Sequence, residues 1–295
     1  MRLKNLICRC LIGIVFVALT ACVDPVTVKQ NDQIQSRVAV IDLGQRTVDV
    51  WIWTPDSNSI GTIIFSHGAA SAPWKYENLI KPWVQAGYTV YAPLHVDSTD
   101  HPDNAKYQGL ASWGSRLEDY KALISAYGTK GYIAAGHSYG ALLALTAGGV
   151  SPLIPDGFNI APPPDAELVL AFSPPPAFPG LLDDIGFKGL RRPAFIQTGT
   201  EDATFGMPEG WAVHLQAFEQ APENGNVYAL ILDGVDHYFG GAICRPELEG
   251  PKQLNELQIA SDLSIEILKN YHQNSDSPGK GLEPRRENSF ELRRR

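Results

Sequence analysis

The sequence predicts an α/β fold: a mainly parallel central sheet of about eight strands with helices on both faces. Three observations predict it. From Arg37 onward, short runs rich in β-branched and aromatic residues alternate with longer helical ones. Gly61–Phe65 (GTIIF) is an apolar run of the kind a strand covered on both faces shows, and Tyr132–Ala135 (YIAA) reads as a further strand. Such alternation implies parallel strands joined by crossover helices. The 295 residues are 44% hydrophobic and 19% charged, enough to bury a large core, which excludes a wholly disordered chain. A net charge of −8 leaves no broad basic face, so nucleic-acid binding is excluded as the main role.

The elements follow in chain order. Val38–Ile41 and Thr47–Trp53 read as strands around a Gly44 turn, antiparallel because so short a link permits no crossover. Gly61–Phe65 is the first fully buried strand. Asn78–Ala86 is helical and stops at Gly87, and Tyr88–Ala92 (YTVYA) is the next strand. Trp113–Tyr127 is helical, with Leu117, Tyr120, Leu123 and Ile124 on one face and Gly128 as its stop. The strand Tyr132–Ala135 precedes a small apolar helix, Ala141–Ala147. Leu168–Phe172 and Ala194–Gln197 are strands, Glu209–Gln220 a helix, Val227–Leu232 the last strand and Leu254–Tyr271 the last helix. Pro162–Pro164 and Pro174–Pro176 mark rigid loops.

Residues 1–21 have the layout of a secretory signal: Arg2, Lys4 and Arg9, then an apolar run too short to span a membrane, then small residues. Leu19-Thr20-Ala21-Cys22 resembles the bacterial lipoprotein signal, in which the Cys is lipidated and becomes the new N-terminus. The expectation is a membrane-anchored protein of the cell envelope, facing the periplasm or exterior, with residues 22–36 as a tether. Removal of the signal also removes Cys8 and Cys10. With Cys22 lipidated, Cys244 has no disulfide partner and the fold rests on its core. The domain expected is 37–272, followed by a polar, disordered tail over 273–295 that ends in three arginines.

Four motifs carry chemistry. Gly136-His137-Ser138-Tyr139-Gly140 matches G-x-S-x-G and lies directly between a strand and a helix. That reversal exposes a strained Ser138 above the strand ends, where the helix N-terminus favours developing negative charge. A serine hydroxyl needs a base. Of seven histidines, His237 follows the last strand on the carboxyl side of the sheet, where open α/β sheets place their chemistry. His137 reads as packing, His67 sits at a strand exit, His95 and His101 in a polar loop, and His214 and His272 in helices. Asp202, directly after the strand Ala194–Gln197, is the best-placed acid to orient His237, with Glu201 its nearest competitor. Backbone N–H groups of Tyr139 and of Ala69, in Ser66-His67-Gly68-Ala69-Ala70, are the expected oxyanion donors. Trp74, Pro174, Phe205 and Tyr238 are expected at the mouth of the site or, equally, in the core.

Taken together, FSHGAA at 65–70, GHSYG at 136–140, TGTED at 198–202 and DGVDHYF at 233–239 resemble the α/β-hydrolases, from about Arg37 to Tyr271. Within that family the chain is most similar to the dienelactone-hydrolase-like and bacterial lipase/cutinase-like groups, including relatives of platelet-activating-factor acetylhydrolase. Dienelactone hydrolases proper carry Cys where this chain has Ser138. The resemblance implies a monomeric serine ester hydrolase with no metal or organic cofactor, acting on a small-molecule or lipid-like ester. A peptidase or thioesterase on the same fold, and a non-catalytic binding protein, are the alternatives.

Overall fold

The computed structural model describes residues 34–107, 109–203, 210–224, 226–273 and 282–295. Cys22 and Phe205 lie outside the described residues. The strands are β1 (Ser36–Asp42), β2 (Thr47–Trp53), β3 (Gly61–Ser66), β4 (Tyr88–Pro93), β5 (Ile133–His137), β6 (Leu168–Phe172), β7 (Ala194–Glu201), β8 (Val227–Asp236), β9 (Arg285–Arg286) and β10 (Phe290–Arg294). They form one sheet in the order β1-β2-β4-β3-β5-β6-β7-β8-β10-β9. The six strands from β4 to β8 run parallel, and both edges are antiparallel.

Residue alternation divides the core into two layers. Ile64, Ala134 and Ile196 face helices α2 (Trp113–Tyr127), α3 (Tyr139–Ala147) and α4 (Gln216–Gln220). Their neighbours Ile63, Phe65, Ile133, Ala135 and Phe195 face α1 (Glu77–Gln85) and α5 (Leu254–Gln273). Successive side chains of a strand point to opposite faces, so an apolar run such as Ile63-Ile64-Phe65 fills both layers at once. Every residue of α3 is buried, which explains why its sequence shows no polar face.

Four expectations need correction. The tail is not disordered where it is described: β10 pairs antiparallel with β8, Phe290 opposite Leu232 and Leu292 opposite Leu230. Phe290, Leu292 and Leu282 are buried. Apolar residues at alternate positions carry the strand, and the surrounding arginines, which suggest a solvated tail, point outward or pair with Glu223, Asp233 and Glu291. Among the described residues the sheet therefore has ten strands, not about eight. At the other end, Ile34 is buried and β1 begins at Ser36, so the folded unit starts inside the expected tether. Of the expected helix Glu209–Gln220, the described part is a 3₁₀ turn, Trp211–Leu215, leading into α4. Among the described residues no helix is long and apolar enough to cross a membrane.

Candidate active site

Strand β3 is followed in sequence by β4 on one side and flanked by β5 on the other, so the winding direction reverses between β3 and β5. Connections that diverge at such a point leave a crevice beyond the carboxyl ends of the strands. The loop 66–70 leaves β3 at this rim, and Ser138 leaves β5 there.

Ser138 is the single residue between β5 and α3. Its φ of 55° and ψ of −123° lie outside the regions an L-residue prefers. The turn is held by its N–H, which donates to Phe172 O at 2.8 Å. A Cβ on Gly140 would stand 2.0 Å from Ser66 O, and one on Gly136 2.2 Å from Gly140 O. Only glycine at these positions lets the β3 exit loop cross so close to the turn. A Cβ on Gly68 would fall 3.4 Å from that of Ser138, so the loop passes beside the serine. Tyr139 N–H opens α3, and neither it nor Ala69 N–H has a hydrogen-bond partner among the described residues.

Asp202 and His237 are the first residues after β7 and β8, and the structure brings them together. His237 Nδ1 lies 2.6 Å from Asp202 Oδ1, with both side chains buried. A carboxylate accepts only, so Nδ1 carries the proton and Nε2 is left with a lone pair. Thr198 Oγ1 donates to Asp202 Oδ2 at 2.8 Å and fixes the carboxylate plane. Burial pushes the Asp202 carboxyl up. The close imidazole nitrogens of His214 and His237 outweigh it and hold the group well below the usual carboxylate range.

His214 and His137 have functions that their sequence positions do not disclose. His214 Nε2 approaches Asp202 Oδ1 to 3.1 Å, an ion-pair contact rather than an aligned hydrogen bond, and Nδ1 lies 2.9 Å from Pro174 O. Facing two acceptors favours the imidazolium. Burial opposes that charge, but Asp202 and the Pro174 carbonyl raise the pKa. His137 is buried and bridges two parts of the rim. Its Nε2 donates to His237 O at 2.8 Å, so its Nδ1 accepts from Tyr76 Oη at 3.0 Å. Tyr76 Oη in turn accepts Gly68 N–H at 2.9 Å. This chain of hydrogen bonds joins the β3 exit loop to the backbone of His237. Burial first, and the nearby His237 second, push the His137 pKa well down, so it stays neutral.

The remaining expected residues divide. Tyr238 sets its ring edge-on to His237 with centroids 5.0 Å apart. Pro174 is buried and acts through its carbonyl on His214. Trp74 is half-buried and sets its ring against that of Trp51 of β2, centroids 4.7 Å apart. A cavity of about 280 Å³ opens beside the loop, lined by Ala69, Ala70, Asp97, Thr99, Asn104 and Gly109. The larger concavity of about 740 Å³ lies far along the sheet against β10.

Asp202, His214 and His237 also place one ligand atom each within 4.8 Å of one another, a spacing that suits a metal ion. A metal with bonds of about 2.0–2.2 Å to nitrogen and oxygen needs those atoms further apart than a direct hydrogen bond allows. The 2.6 Å contact between Asp202 and His237 fits a proton instead.

Residues 63–244, more than half of the chain, match the sequence profile of the alpha/beta hydrolase family. The chain belongs to that family. Solved structures similar to this alpha/beta hydrolase include esterase 2 of Thermogutta terrifontis phosphoramylated by tabun, with TM-score 0.58 and 14% identity over 79% of this chain and 94% of that one. The propionate-bound form of the same esterase matches with TM-score 0.57 and 15% identity over 79% and 93%. Its butyrate-bound form gives 0.55 and 16% over the same shares. At such identities the likeness extends to the fold. No curated protein matches this alpha/beta hydrolase in sequence.

Proposed function

We propose that this protein is a serine carboxylic-ester hydrolase working through Ser138, His237 and Asp202. The observation that carries the reading is the buried Asp202–His237 pair, which leaves Nε2 of the imidazole free to take a proton on the rim where Ser138 stands strained. His237 removes the Ser138 proton as Oγ attacks the ester carbonyl. The carbonyl oxygen becomes an oxyanion, facing the N–H groups of Tyr139 and Ala69. Its collapse expels the alkoxide, which takes the proton from His237 and leaves as the alcohol. Water then attacks the acyl-enzyme by the same route and releases the carboxylic acid, restoring Ser138. The cavity of about 280 Å³ beside Ala69 suits a short acyl or alcohol group. Propionate and butyrate in the similar esterase agree with that size.

Ser138→Ala in the full-length protein tests the reading. Turnover of a short p-nitrophenyl ester should fall by about 10⁴-fold or more, with the thermal transition unchanged. Undiminished turnover removes Ser138 from the reaction. A fluorophosphonate probe should label the wild type and not the variant, whereas a binding protein on this fold would stay unlabelled.

Cys22 supplies the second part of the proposal, a lipid anchor that holds the enzyme on an envelope membrane. Cys22→Ala should move the protein from the membrane fraction to the soluble one. Retention on the membrane would refute the anchor.

A further inference from the structure

A cluster of charged and polar groups lies under the β3 exit loop, on the side away from Asp202. At its centre is Arg116, a fully buried side chain of α2. Its Nε and Nη2 grip Asp97 at 2.8 and 2.9 Å as a fork on a carboxylate. Nη1 donates to His67 O at 2.8 Å and Nη2 to Gly68 O at 3.1 Å. The guanidinium also lies 4.6 Å from the centroid of the Tyr139 ring. Asp97 closes the arrangement by accepting Ala70 N–H on Oδ2 at 3.1 Å. Burial pushes the Asp97 carboxyl up, but Arg116 overrides it and holds the group well below the usual range.

A trans peptide points its C=O and N–H in opposite directions. Arg116 draws in the carbonyls of His67 and Gly68, so the N–H groups of Gly68 and Ala69 must point away from it. For Gly68 the result is visible: its N–H meets Tyr76 Oη, which touches His137, the residue before the nucleophile. For Ala69 the same constraint turns an unpaired N–H outward. A second donor reinforces it. His95 N–H donates to His67 Nε2, so the His67 proton is on Nδ1 and is given to Gly68 O at 2.7 Å. Replacing a buried Arg–carboxylate pair by apolar residues is often neutral or stabilising, so stability alone is a poor account of this one.

We propose that Arg116, braced by Asp97, positions both oxyanion donors: it fixes the peptide plane that carries Ala69 N–H and packs against Tyr139, whose N–H is the other donor. The inference rests on the ester-hydrolase reading. Arg116 is fully buried away from any substrate and acts through the loop carbonyls and the Tyr139 ring. Without it the Gly68–Ala69 peptide can rotate and present a carbonyl where an N–H is needed. Lysine, a point charge without the planar fork, cannot hold a carboxylate and two carbonyls at once.

The test compares the wild type with Arg116→Lys in the full-length protein. For a short p-nitrophenyl ester, kcat should fall about 100-fold while KM changes little, because a donor displaced by about an ångström loses about that much. Affinity for an alkyl trifluoromethyl ketone, which becomes an oxyanion on binding Ser138, should fall in parallel. Affinity for the matching methyl ketone should hold. Unchanged kcat, or a variant that loses thermal stability while its trifluoromethyl ketone affinity is unchanged, would overturn the proposal. If Arg116→Lys does not fold, Asp97→Asn decides. It keeps the guanidinium and its bonds to the carbonyls but weakens the brace, and should cost about 10-fold in kcat and in trifluoromethyl ketone affinity. No loss in either refutes the inference. A wild type that no fluorophosphonate labels refutes the hydrolase reading and the inference together. A labelled wild type with unimpaired Arg116 and Asp97 variants refutes the positioning role alone.

Discussion

Two buried carboxylates serve the rim of this sheet, and the partners they keep are chemically different. Asp202 holds histidines, His237 at 2.6 Å and His214 at 3.1 Å. Asp97 holds Arg116 through both of its oxygens. Each carboxyl is buried and each is kept ionised by its partners against that burial. In the proposed reaction the histidine side passes a proton within each cycle, and imidazole changes charge in the pH range where enzymes work. The arginine side must hold its charge while negative charge appears nearby, and a guanidinium does not deprotonate. On the proposed reading, one end of the crevice moves a proton and the other keeps a geometry.

The sharpest way to break this contrast is Asp202→Asn. An amide can donate to Nδ1 and stabilise the wrong tautomer of His237, so kcat should drop by about 10⁴-fold with the fold intact. Stopped-flow measurement of acylation checks it, and a fall no greater than that of Asp97→Asn would erase the distinction between the two ends. A smaller effect is expected at the second imidazole. His214→Gln removes a charged contact to Asp202 but leaves the His237 pair, so kcat/KM should fall by about 10-fold. A loss as large as that of Asp202→Asn would place His214 in the proton-moving set.

The histidine end was the more legible of the two in the sequence, for a physical reason. Ser138, Asp202 and His237 each follow a strand directly, and strand ends are found from apolar runs and glycines. The meeting of Asp202 and His237 then follows from the topology, which also sets Ser138 on the same rim. Arg116 and Asp97 meet through the packing of a helix against a loop, which no local pattern encodes. One signal was available all the same. Arg116 falls within the stripe of Trp113, Leu117 and Tyr120, the buried face of α2, where a charge has no solvent to reach. His214 gave no comparable cue, since its turn is short and its partner Asp202 lies in the loop just past β7. The tail misled through composition: five arginines in 285–295 outweigh the alternation of Phe290 and Leu292 that pairs it with β8.

That last pairing has a consequence for biogenesis. The strand whose end carries His237 takes its outer neighbour from residues 290–294, which leave the ribosome well after β8 itself. Until they arrive, β8 presents an unsatisfied ladder of N–H and C=O groups to any other extended chain. A nascent chain that has not yet reached residue 290, or one cut before it, therefore carries a sticky flank beside the proposed base.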